Sequence, residues 1–132
     1  MKKLAIFAGV ALLAAAAFGG MNNKTLAFDV VGTNAVAKTA TIRGDVATIF
    51  VEVPDGATGT VSVVTATGET LLNKSGLAAS ATYHPIVQGC GSNGTAVSNE
   101  YQRAGVSGPV TFTVTGTGTA TNTYKVGVIY QN

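Results

Sequence analysis

The C-terminal stretch from Gly108 to Gln131 constrains the fold most, because its residues repeat with the period of a strand. From Pro109 to Thr115, Val110, Phe112 and Val114 alternate strictly with Thr111, Thr113 and Thr115. A period of two puts the apolar set on one face and the threonines on the other, the pattern of a half-buried β-strand. After Gly116-Thr117-Gly118-Thr119, the same period returns. Tyr124, Val126, Val128 and Tyr130 face one way, and Lys125, Gly127, Ile129 and Gln131 the other. Two such runs about a Gly/Thr turn predict a β-hairpin. A lone hairpin is marginal in water, so further strands must cover its apolar face.

The preceding sequence supplies them. Strands are predicted over Thr25 to Val31, Ala35 to Arg43 and Val46 to Val53. In the third, Ile49, Val51 and Val53 alternate with Thr48, Phe50 and Glu52. Phe50 breaks the apolar-in, polar-out rule, which predicts a central strand or a partner surface on its second face. Pro54-Asp55-Gly56 is a turn, with Pro fixing φ and Gly accepting a positive one. Gly59 to Thr65 and Glu69 to Lys74 flank Ala66-Thr67-Gly68 as a second hairpin. Leu77 to Gln88 predicts one more strand, disturbed by His84-Pro85 and therefore at an edge or bulged. Gln88 to Thr95 is a loop by composition, and Ala96 to Arg103 is expected to pair with the C-terminal hairpin. No repeat is present beyond a general Thr/Gly texture.

Composition agrees with this pattern. In 132 residues only 11% are charged, aromatics make up 7%, and there are 17 glycines and no Trp. That mix suits short strands and tight turns more than surface helices. The expected fold is all-β, an antiparallel β-sandwich of jelly-roll or immunoglobulin-like type with about eight strands over residues 22–132, behind an N-terminal hydrophobic helix.

Residues 1–21 form the leader. Met1-Lys2-Lys3 precedes an apolar run whose anchor residues are Leu4, Ile6, Phe7, Leu12, Leu13 and Phe18. A positive start, an apolar middle and the small residues Ala14 to Ala17 are the layout of an export signal. Crossing a bilayer takes about 20 residues, and this run is slightly short. A cleaved signal and a retained membrane or partner anchor both stay open. The formal charge of +2 resides in Lys2 and Lys3; elsewhere the basic residues are scattered and balance the acidic ones. Nucleic-acid binding is therefore not expected.

Chemical motifs are few. Gly89-Cys90-Gly91-Ser92-Asn93-Gly94 matches a dinucleotide fingerprint, but no helix or parallel βαβ unit follows, and the motif depends on both. Cys90 and His84 are the only thiol and imidazole, six positions apart, without a third orienting group. The one Cys cannot form an internal disulfide, and one His plus one Cys are too few for zinc. The carboxylates Asp29, Asp45, Glu52, Asp55, Glu69 and Glu100 are dispersed. No catalytic, cofactor-binding or metal-binding residues are expected.

Glu100-Tyr101-Gln102-Arg103, followed by Val106-Ser107-Gly108-Pro109 entering a Thr/Val strand and then a closing strand, resembles small β-rich virion proteins of bacteriophages. These are decoration, minor capsid or head-fibre proteins. The resemblance spans about Tyr83 to Tyr130. It implies a non-enzymatic structural subunit in the virion, a homo-oligomer contacting the major capsid protein or neighbouring virion subunits; membrane contact through residues 1–21 is expected from the leader where it is retained, not from the resemblance. The leader departs from that pattern. Candidate interface residues are Phe50, Glu100, Tyr101, Arg103 and Tyr130; Arg103 lies in a nearly chargeless neighbourhood where pairing with Glu100 or a partner's carboxylate counts for more than at an open surface. The ending Asn122 to Gln131 is also similar to the last strand of chaperone-usher pilins, without their cysteine pair. That likeness implies an exported surface filament or adhesin subunit, at the cell surface or in the periplasm. A small periplasmic enzyme using Cys90 and His84 is the third class.

Overall fold

The computed structural model describes residues 21–90 and 96–132, and for 87–90, 96–100 and 102 the backbone alone. The expected leader helix and its anchor residues lie outside the described residues. Within them the chain is all-β and antiparallel, with no helix. Eight strands follow in order: β1 (Met21–Val31), β2 (Ala35–Glu52), β3 (Gly59–Thr65), β4 (Thr70–Leu77), β5 (Ala81–Tyr83), β6 (Ile86–Cys90), β7 (Ala96–Gly116) and β8 (Thr121–Gln131). Hydrogen bonding runs β1-β8-β2-β7-β3-β4, with β5 on β2 and β6 on β7.

The expected C-terminal hairpin does not form. β7 pairs with β2 and β3, and β8 pairs with β1 along Met21↔Gln131 to Val31↔Thr121 and with the second half of β2. The turn between β1 and β2 lies between the adjacent ends of β7 and β8. Gly32 N–H donates to the Ala120 carbonyl (3.0 Å), and Gly116 N–H to that of Asn34 (3.3 Å). Alternation specifies which side chains face inward, and it is silent on which strand lies alongside. The expected pairing of Ala96–Arg103 with that hairpin is likewise replaced: this segment begins β7 and pairs with β6. The β3–β4 hairpin forms where the sequence places it, its turn closed by Thr65 N–H to the Glu69 carbonyl at 2.8 Å.

The two strands expected between Ala35 and Val53 are one. β2 pairs with β7 from Ala35 to Val46 and with β8 from Asp45 to Glu52, so it passes from one set of partners to the other at Gly44 to Val46. Gly44 has φ +134, and a Cβ there would collide with the Gln131 carbonyl oxygen. Only glycine allows the end of β8 to come so close. Past this crossing a bulge between Val46 and Thr48 shifts the register by one residue. Ile42 and Val46 face the core before it, and Ile49 and Val51 after it, all four with 0% exposure. Without the bulge, Phe50 would be in phase with Val46.

The inner face gathers Phe28 and Val30 of β1, Val61 and Val63 of β3, Val110, Phe112 and Val114 of β7, and Tyr124, Val126 and Val128 of β8. Burying each such side chain stabilises by about 1.5–3 kcal/mol. Tyr124 shows how the sheet closes over this core. Its hydroxyl donates to the Thr58 carbonyl, at the entrance to β3, over 2.6 Å. β8 and β3 are separated by two strands in the pairing order, so the sheet must curve for them to meet. Burial raises the Tyr124 pKa above its ordinary 10.0 by penalising the phenolate.

Candidate functional site

The disturbed strand expected over Leu77 to Gln88 is divided between three elements: Leu77 ends β4, and β5 and β6 are separated by His84-Pro85, as a residue without an N–H requires. β5 continues on β2, through Ile49↔Tyr83 to Val51↔Ala81, whereas β6 departs onto β7 through Ile86↔Arg103, Val87↔Gln102 and Gln88↔Tyr101. β7 correspondingly leaves β2 after Val46↔Ala104. Beyond that point β6 and residues 96–103 of β7 pair with one another as a two-stranded ribbon, a ladder separate from the main sheet.

His84 sits where the ribbon departs. Its Nδ1 is 3.2 Å from the Ala47 carbonyl oxygen and 3.3 Å from Thr48 Oγ1, at the β2 bulge. Donating Nδ1–H to Ala47 satisfies a carbonyl that the bulge displaces from the regular ladder. The imidazole thus holds β5 to β2. The Cys90 side chain lies outside the described residues, so its separation from His84 does too. Among the described residues, no three of His, Cys, Asp and Glu come together as a metal site.

The interface candidates divide by burial. Tyr101 is 59% exposed, and Arg103 is exposed two residues further along the same ribbon strand. Phe50 is 6% exposed and lies over Gly127, where a Cβ would strike its ring. Tyr130 is 8% exposed, paired with Val46. The Glu100 side chain lies outside the described residues, and with it the suggested Glu100–Arg103 pair. Ile86, which sequence reasoning did not single out, is 59% exposed directly across from Arg103. The signal was available in principle, since Ile86 follows a proline that interrupts the alternation.

A cavity of about 220 Å³ opens beside the β3–β4 turn, lined by Thr65, Thr67, Glu69, Gly105, Ser107 and Pro109 among others. Its hydroxyls serve the turn: Thr65 Oγ1 accepts from Glu69 N–H (3.0 Å) and lies 3.0 Å from Thr67 Oγ1. Elsewhere polar side chains tie strands together. Lys38 Nζ donates to the Ala27 carbonyl at 2.5 Å, 5.5 Å from the Phe28 ring centroid, and so joins β2 to β1. Lys74 lies 5.8 Å from the Tyr83 ring and links β4 to β5.

No protein-family model and no curated protein matches the chain. Among solved structures it is similar to Aeromonas hydrophila PliG, a periplasmic inhibitor of g-type lysozyme, with TM-score 0.48 and 10% identity over 83% of this chain and 86% of that one. It is similar to the Yersinia pseudotuberculosis-derived mitogen, with TM-score 0.47 and 9% identity over 84% and 87% of the two chains. A Bacillus endospore appendage subunit, from disulfide-linked pili, gives TM-score 0.43 and 17% identity over 84% and 86%.

Proposed function

We propose that this chain is a non-enzymatic structural subunit that acts by assembling into multimers, its sheet folded as a β-sandwich of jelly-roll or immunoglobulin-like type. The observation that carries the reading is where the pairing order ends. β1, eleven residues long, and β4 stand at its two ends, and the β6–β7 ribbon forms a third ladder with pairing on one side of each strand. Open ladders are templates for another chain unless they are blunted. The outer positions of β1 are mostly small or polar, Thr25, Ala27 and Asp29, which a neighbouring strand can approach closely.

In its finer form the reading makes the chain a virion component, a decoration or minor capsid protein against the major capsid protein. The leader favours a second form, an exported surface filament or adhesin subunit. Sedimentation velocity of the full chain over a wide concentration range tests the assembly reading. Mass-action growth into discrete multimers is the expected result, and one species at the mass of a single chain at every concentration contradicts it. Co-purification with particles at fixed copy number, against recovery of cell-surface polymers lacking residues 1–20, separates the two forms.

A further inference from the structure

The large apolar side chains left open among the described residues are Val31, Ile86 and Tyr101, and they fall into two patches. Ile86 lies opposite Arg103 across the ribbon, and Tyr101 is two residues from Arg103 along β7. Side chains two apart on a strand, and those directly opposite, share a face. Tyr101, Arg103 and Ile86 therefore form one exposed patch with a single positive charge. Val31 ends β1 two residues after Asp29, on the same exposed face, and makes the second patch, in which Asp29 is the charge next to Val31 and Lys125, across from Ala27, lies further along the face.

The two patches are complementary and cannot meet within one chain. Val31 pairs with Thr121 at the β1–β2 turn, the end where Ala35 pairs with Thr115, whereas the ribbon leaves the sheet at Ala104. Eleven steps of β7 separate these ends, roughly 35 Å of strand. Arg103 pairs with no described carboxylate. Asp29 accepts one hydrogen bond, from Thr123 Oγ1 at 2.6 Å, and a carboxylate has further acceptor positions for a guanidinium.

Building on the assembly reading, we infer that the ribbon of one copy docks on the β1 end of a second copy, with Arg103 on Asp29 and with Tyr101 and Ile86 covering Val31. Tyr and Arg in one desolvated cluster are the residue types that dominate interfaces. The contact joins two different surfaces, so it repeats head to tail into a ring or a filament.

The test uses the full chain in nonionic detergent, which keeps the apolar leader from driving association, and reads association by sedimentation velocity. Arg103→Glu and Asp29→Arg, each alone, are expected to weaken association by roughly thirtyfold or more, and the two together in one chain to restore it. Val31→Ser, which leaves the Asp29–Thr123 bond in place, is expected to weaken it without lowering the melting temperature. Mixing Tyr101→Ala/Arg103→Glu with Asp29→Asn/Val31→Ser is expected to give 1:1 dimers that do not grow, since each has one intact surface and the introduced glutamate meets no cation on the altered one. If the wild type assembles and the single variants assemble equally well, or the mixture grows without limit, this docking geometry is wrong while the assembly reading stands. A wild type that remains monomeric overturns both.

Discussion

β7 is one continuous strand with two unlike halves. From Ala104 to Thr115 it pairs with β2, and over Val110 to Gly116 with β3, so that Val110, Phe112 and Val114 are almost wholly enclosed. From Ala96 to Arg103 it pairs with β6 alone, and its described side chains Tyr101 and Arg103 stand in the open. Backbone geometry is shared, but the source of stability is not: the first half is held by burial, the second by one neighbouring strand, which is marginal support in water. A strand that the fold itself does not stabilise is available to a partner.

The contrast can be broken by substitution, and the largest effect is expected in the enclosed half. Phe112→Ala should cost about 3–5 kcal/mol of unfolding free energy in urea titrations, as a large cavity opens among β2, β3 and β7. Gly127→Val should cost about 1–3 kcal/mol or more by forcing Phe50 off its site; an unchanged urea midpoint would show that Phe50 repacks freely. Tyr124→Phe leaves the Thr58 carbonyl without its donor and should cost about 1–3 kcal/mol. The same tyrosine sets an alkaline limit. Because its folded pKa is raised, its contribution is fully present below pH 10.0 and is lost as pH rises through the folded value, so the wild type should lose more stability there than Tyr124→Phe. In the ribbon half, Tyr101→Ala should change stability by no more than about 0.5 kcal/mol while reducing assembly.

What the sequence disclosed follows the same division. Inward-facing sets such as Val110, Phe112 and Val114, or Tyr124, Val126 and Val128, are legible because a period of two translates directly into burial. Neighbours are not legible in this way, which is why adjacent runs joined by Gly116 to Ala120 suggest a hairpin where the fold inserts the β1–β2 turn and β2 instead. The switch of face inside β2 leaves a trace: Ile42 and Val46 are even-numbered, Ile49 and Val51 odd-numbered, and one extra residue must lie between them. That trace also accounts for Phe50, whose second-face position is covered by this chain over Gly127. For the candidate surface, the sequence pointed to Arg103 by its nearly chargeless neighbourhood and to Tyr101 by the resemblance of the Glu100 to Arg103 segment, and could not supply Ile86 or Asp29, which join the argument through strand register.

Hydrogen exchange along β7 tests the account most directly. In dilute, monomeric protein the amides of residues 96–103 should exchange by orders of magnitude faster than those of 110–115, and at assembling concentrations the 96–103 set, with the β1 amides near Asp29, should become protected. Equal protection of both halves in the monomer, or a 96–103 set that exchanges at the same rate before and after assembly, would contradict it.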